Sequence, residues 1–177
     1  MDALEFKKLL FKTAFCCIAC DGHIDDMEIK EMHKLDRDTS YFGDVDLSSE
    51  LNALIEDLKQ NGTRVISNLF KEIQDNGLNP VQELLLLEIT MRLIYADEQV
   101  KENELKFLRL LRSKLDVFDE IIIERFGRKN LLFDKDNAKS IITEAELAEG
   151  IELPEMKEFD NLSISFNIED WEKNENL

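Results

Sequence analysis

The chain is poor in the residues that interrupt regular structure: only 6 glycines and 2 prolines in 177 positions, while hydrophobic residues make up 44%. Few turn formers argue against many short strands and for helices. It also lacks positive charge. Against 39 acidic residues stand 22 basic ones, a formal net charge of -17, and no Lys/Arg-rich stretch interleaved with aromatics offsets that locally. Such a chain repels nucleic-acid phosphate, so DNA and RNA binding are not expected. Long apolar runs are missing too. The opening MDALEFKKLLFKTAFCCIAC is interrupted by Glu5, Lys7, Lys8 and Lys12, and Leu84 to Leu87 is flanked by Glu83 and Glu88. Neither resembles a signal sequence or a membrane span, which needs roughly 18 uninterrupted apolar residues. A cytoplasmic protein is expected, with peripheral membrane association left open. Cys16, Cys17 and Cys20 fall within about one helical turn and no other cysteine exists to complete a disulfide framework, so reduced thiols are expected.

What is present is helical periodicity. Leu4, Phe6, Leu9, Leu10, Thr13, Ala14, Cys17 and Ile18 predict a first helix over about 2–20. After a turn at Asp21-Gly22, Asp25 with Glu28 three residues on reads as a capping box, and Ile29, Met32 and Leu35 mark the inner face of a second helix. Further helices are expected over about 48–60 and 63–76, each ended by Asn-Gly. Asn79, Pro80 and Gln82 open a long apolar helix, expected to be central, that runs to about Ala96. Two more follow over about 102–114 and 117–126, the last stopped by Gly127. The expected fold is therefore all-α: one helical domain of about seven helices over 1–133. Residues 134–177 form an acidic C-terminal extension, partly ordered or docked. Within it about 137–149 reads as helix, and the alternation over Leu162 to Ile168 as a short strand. A mobile acidic tail is the plainer reading of the extension.

The chain contains an internal duplication. Laid over YADEQVKENELKFLRLL, the segment ACDGHIDDMEIKEMHKL pairs Asp21 with Asp97, Ile24 with Val100, Glu28 with Glu104 and Lys30 with Lys106. Ile29, Met32 and Leu35 pair with Leu105, Leu108 and Leu111, so both units are expected to bury the same helical face about a pseudo-two-fold axis. The turn Asp-Gly-x-Ile-x-x-x-Glu resembles the second half of an EF-hand loop, but on that register the first two ligand positions fall on Cys17 and Ala19, or on Leu93 and Tyr95. None of these offers a side-chain carboxylate or amide oxygen to a hard cation, which excludes an ordinary EF-hand. A divalent ion such as calcium could still be held between the two turns by Asp21, Asp25, Glu28, Asp97 and Glu104, with Glu102 nearby. Capping alone explains Asp25 and Glu28. It does not explain Asp21 and Asp97, each of which closes a helix at the end where negative charge opposes the dipole.

The motifs AFCCIACDGHIDDMEIKEM and MRLIYADEQVKENELKFL, with the helices between them, resemble the tellurite-resistance TerB-like family over about residues 3–127. The resemblance implies an all-helical domain, metal binding through acidic turn residues, and membership of multi-protein systems of chemical stress or phage defence, with no catalysis. The matching positions are Asp21, Gly22, Glu28, Asp97 and Glu104. The second turn departs from the pattern, with Glu98 in place of Gly and Lys101 in place of the capping residue.

Catalytic constellations are not evident. A closed zinc site needs four ligands, for which His23 is the only nearby candidate beside the three cysteines, and buried small residues are the plainer reading. Acidic surroundings oppose a reactive thiolate, His33 with Asp36 lacks a nucleophile, and there is no Glu-x-x-His pair or Gly-rich phosphate loop. The expected function is non-enzymatic: a helical module that binds protein partners, with a divalent ion at the paired turns. The alternative is an interaction module without metal, recognising its partners through the acidic extension.

Overall fold

A computed structural model describes residues 1–96, 99–133 and 143–167. The described residues are all-helical: α1 (Ala3–Ala19), α2 (Asp26–Asp38), α3 (Leu47–Asn61), α4 (Arg64–Asp75), α5 (Pro80–Ile94), α6 (Glu102–Ser113), α7 (Asp119–Phe126), the short α8 (Asn130–Phe133), α9 (Glu144–Gly150) and α10 (Met156–Asn167). Their starts follow local chemistry. Asp2 with Glu5, Asp25 with Glu28, and Asn79 with Gln82 each close a reciprocal capping box, and Pro80 occupies the first turn of α5. Helix α7 ends at Gly127, whose positive φ of 72° lets the chain turn away without a Cβ penalty.

Helices α1 and α5 form the centre. They pack on each other, while α2 packs on α5, and α6 packs chiefly on α5 and more lightly on α1. The expectation of a single central helix is thus modified, since α1 is buried almost throughout from Phe6 to Ala19 and also contacts α3 and α4. Glu83, buried on α5, accepts from the backbone N–H groups of Asp116 (3.1 Å) and Val117 (2.6 Å), which ties the loop after α6 to the centre.

One detail of the inner face differs from the sequence reading, and differs identically in both units. Met32, Leu35, Leu108 and Leu111 are buried as expected, whereas Ile29 and Leu105 lie at the rim. Their neighbours Glu28 and Glu104 are the buried residues, each only 1% exposed. Hydrophobic periodicity could not show this, because it counts a glutamate as an outward position.

The described part of the extension packs on the domain: α9 against α4 and α6, α10 against α3. Leu147, Phe159 and Leu162 are fully buried, and Phe159 meets Phe15 with ring centroids 5.8 Å apart. Each such side chain contributes about 1.5–3 kcal/mol, against about 0–1 kcal/mol for a peripheral ion pair such as Lys114 with Glu144. Apolar burial holds the extension in place. The expected strand over 162–168 is corrected: residues 162–167 continue α10, and Ile168 lies outside the described residues. The alternation misled because Phe159, Leu162 and Phe166 also fit the i, i+3, i+7 spacing of a helix face. Of the helix expected over about 137–149, residues 137–142 lie outside the described residues, and α9 covers the remainder.

Candidate functional site

Helix α1 closes at Cys20, and Asp21 then begins the first turn, with Oδ1 accepting from the His23 N–H at 3.0 Å. Gly22 follows at φ +87°, a left-handed conformation that side chains with a Cβ resist. Ile24 returns to the core, and Asp25 caps α2 by accepting from Met27 N–H at 2.7 Å. Glu28 completes the box, its Oε2 accepting from Asp25 N–H at 2.9 Å. Glu104 repeats this in the second unit, accepting from Lys101 N–H at 2.8 Å. The box there is half made, because a lysine side chain has no acceptor to return to the helix.

The lysine does something else. Its ammonium crosses to the first turn and pairs with Asp21 Oδ2. The Asp21 side chain is only 2% exposed, and Lys101 Nζ is itself shielded from solvent. Although burial opposes it, hydrogen bonding to Asp21 and the carboxylates of Asp21, Glu28 and Glu104 hold the Lys101 ammonium above its ordinary pKa. This accounts for an acidic residue at the C-terminal end of α1, where the helix dipole disfavours it.

Burial pushes the Glu28 carboxyl up to about 8; the Asp25 N–H and Lys101 pull it down, while Asp21 and Glu104 add to the rise. Its Oε1 is buried with no hydrogen-bond partner among the described residues. Beneath lie Cys17 and Cys20. Burial raises both thiols well above their ordinary value, and the charges of Asp21, Glu28 and Glu104 add to the effect. Burial also pushes Cys16 up to about 12. All three are free and buried, a setting that disfavours the nucleophilic thiolate.

The C-terminal segment closes the site from outside. A Cβ on Gly22 would stand 2.9 Å from the backbone oxygen of Glu152. Glu158 pairs with His23 and accepts from Ile24 N–H at 3.3 Å, and Asn103 at the start of α6 donates to the carbonyl of Gly150 at 3.3 Å. Residues 150–158 therefore reach both units.

The structure thus brings together Asp21, Glu28 and Glu104, with Lys101 among them. Asp97 lies outside the described residues, and the Asp25 carboxylate is engaged at the start of α2. Among the described residues no group of three or more His, Cys, Asp or Glu side chains is arranged to hold a metal ion. Among the described residues the set does not fit a divalent ion, since the Lys101 ammonium sits against Asp21 and would repel one. The sequence reading missed Lys101 as a participant because it entered only as a lost cap. Its signal was a basic residue aligned with an acidic one, Asp25, in an acidic chain. Also among the described residues, no helix is long and apolar enough to cross a membrane. Comparison with family models, curated proteins and solved structures found no match to this chain.

Proposed function

We propose that this chain is a non-enzymatic helical module of a stress-response or defence system of the TerB type, acting by binding protein partners and needing no metal at its paired turns. The observation that carries the reading is the meeting of the two units in one cluster of Asp21, Lys101, Glu28 and Glu104, flanked by the chain's own C-terminal segment at Gly22, His23 and Asn103. A cluster placed in this way serves to fix the two units relative to each other, which leaves recognition to the outer surface. That surface is acidic overall, which suits a partner presenting basic groups. The raised thiols of Cys17 and Cys20 weigh against a thiol enzyme. The part of the extension that the alternative reading makes the recognition element is turned inward at Phe159 and Leu162.

In-cell cross-linking of the full-length chain, followed by reconstitution with each purified candidate, tests this. The expected result is a stoichiometric complex whose affinity falls steeply with added salt, as contacts through an acidic surface require. Failure of every cross-linked candidate to form a complex with the purified chain would overturn the reading, as would a fast-reacting native thiol.

A further inference from the structure

Helix α10 meets the domain as a bound peptide meets its receptor. Its backbone runs beside α3, while its side chains reach past α3 to α1 and α2. Phe159, Leu162 and Phe166 form one stripe at i, i+3 and i+7 spacing. Phe159 and Leu162 are fully buried, Phe159 against Phe15 of α1, and Phe166 meets Phe11 with ring centroids 5.9 Å apart. The groove also holds both ends of the stripe. At the first end, His23 and the Ile24 N–H take the Glu158 carboxylate. At the second, Ser48 Oγ donates at 2.6 Å to the carbonyl of Phe166, in the last turn, where a helix leaves its carbonyls without internal partners, and the His33 ring stacks on the Phe166 side chain. An apolar stripe with a few placed polar contacts is the pattern of helix-in-groove recognition.

The helices that build the groove are supported independently of α10. Helix α1 packs on α4 and α5, α2 on α5, and α3 on α4. By contrast α10 has 12 residues, with Met156 and Ile164 exposed on its outer side. A helix of that length is marginal in water and is ordered by the surface that holds it. We propose that the groove formed by α1, α2 and α3 is a recognition site for an amphipathic helix of a partner protein, and that α10 is the chain's own occupant, displaced when that helix binds. The partner's helix carries an aromatic residue, a leucine and a second aromatic at i, i+3 and i+7, with an acidic residue in the place of Glu158. A helix already ordered within a folded partner has the advantage over α10, because it binds without the entropy loss of ordering. A second copy of this chain has no such advantage, since its α10 is the same short segment. The proposal goes beyond the acidic exterior of the proposed function, and a synthetic helix tests it whether or not cross-linking finds a partner.

The probe is a fluorescein-labelled peptide of residues 152–167, in linear form and stapled across positions 157 and 161, both exposed in the chain. By fluorescence polarisation, the full-length native chain should bind the stapled peptide at least about tenfold more tightly than the linear one. Phe159→Asp in the peptide should abolish binding. Leu162→Asp in the full chain sets a charge against the groove and so releases α10. That variant should bind the linear peptide at least about tenfold more tightly than the native chain does, because a tethered competitor at an effective concentration on the order of millimolar is gone. The proposal is overturned if both chains bind the linear peptide alike, if stapling changes nothing, or if the Phe159→Asp peptide binds as well as the native sequence. It is equally overturned if the native chain dimerises with rising concentration and Leu162→Asp abolishes the dimer, which gives the groove to a second copy. Should Leu162→Asp not fold, hydrogen exchange of the native chain with saturating stapled peptide decides the matter. Amides of α10 should then exchange at least about tenfold faster than without peptide, while those of α1 and α5 keep their protection. No acceleration in α10 would place the peptide elsewhere and sink the proposal.

Discussion

The two helix-turn-helix units are related in sequence and in burial, yet their turns are built on different chemistry. In the first, Asp21 binds the following backbone, Gly22 takes a left-handed conformation, and Asp25 and Glu28 cap α2 from both sides. In the second, Glu104 keeps its half of the cap and Lys101 gives up the other half to reach Asp21. The first turn supplies negative charge and a tight bend, and the second supplies the cation. The two related units are therefore parts that fit each other rather than two equal sites. The C-terminal segment reinforces the inequality by pressing on Gly22, His23 and Ile24 of the first turn while touching the second unit at Asn103.

Gly22→Ala probes that inequality with the largest expected effect. A Cβ at φ +87° costs about 1–2 kcal/mol, and displacement of Glu152 from a 2.9 Å approach brings the expected loss to about 2–3 kcal/mol. Gly77→Ala is the control, since Gly77 also has positive φ, +54°, but nothing within 4 Å of its Cβ position. Urea unfolding should rank Gly22→Ala as the costlier change, and amide exchange should accelerate in α9 and α10 only for that variant. Equal losses would mean that the extension does not depend on the first turn.

The helices were legible because they rest on local rules: Asn79-Pro80 and Asp25 with Glu28 are short-range signals, and the apolar residues of α5 and α6 recur at helical spacing. The charge pairing was not legible, because Asp21 and Lys101 are eighty positions apart and only the fold brings them together. Capping signals did indicate that Glu28 would face the backbone at the start of α2, but not that its second oxygen would be buried. Residues 162–167 were misread because their unbroken apolar-polar alternation satisfies a strand, and only Phe159, in the preceding turn, reveals the helical stripe.

Histidine 33 offers a second contrast between the units, since the aligned position in the second is Arg109, which is only partly buried. His33 is 8% exposed, stacked on Phe166 with centroids 4.1 Å apart and with Nε2 3.2 Å from Ser165 Oγ. Burial, assisted by the charge of Arg37, lowers it to about 4 from its ordinary 6.5. Between those values the unfolded chain holds a proton that the folded chain does not. Stability present above pH 6.5 is therefore lost as pH falls towards 4, by about 1–2 kcal/mol once solvent screening is allowed for. Glu28 acts in the opposite sense, because its native carboxyl keeps a proton from 4.5 to about 8 and its contribution declines as pH rises through that range. The His33 part is isolated by subtracting the pH profile of His33→Gln from that of the native chain. A flat difference between pH 4 and 6.5 would show that α10 does not exclude water from His33.

The smallest expected effect tests the caps themselves. Asp25 accepts from Met27 N–H at 2.7 Å, whereas Lys101 has no acceptor to offer α6, so the two helices begin with unequal side-chain support. Asp25→Ala removes the difference without touching Glu28, whose bond is to the Asp25 backbone. The expected cost is about 1 kcal/mol, the usual value of an N-cap. Because the variant leaves Asp21 and Lys101 in place, the acylation rate of Lys101 should not change. If that rate rises along with the loss of stability, capping and the ion pair are not separable, and the first turn holds Lys101 through the start of α2 as well as through Asp21.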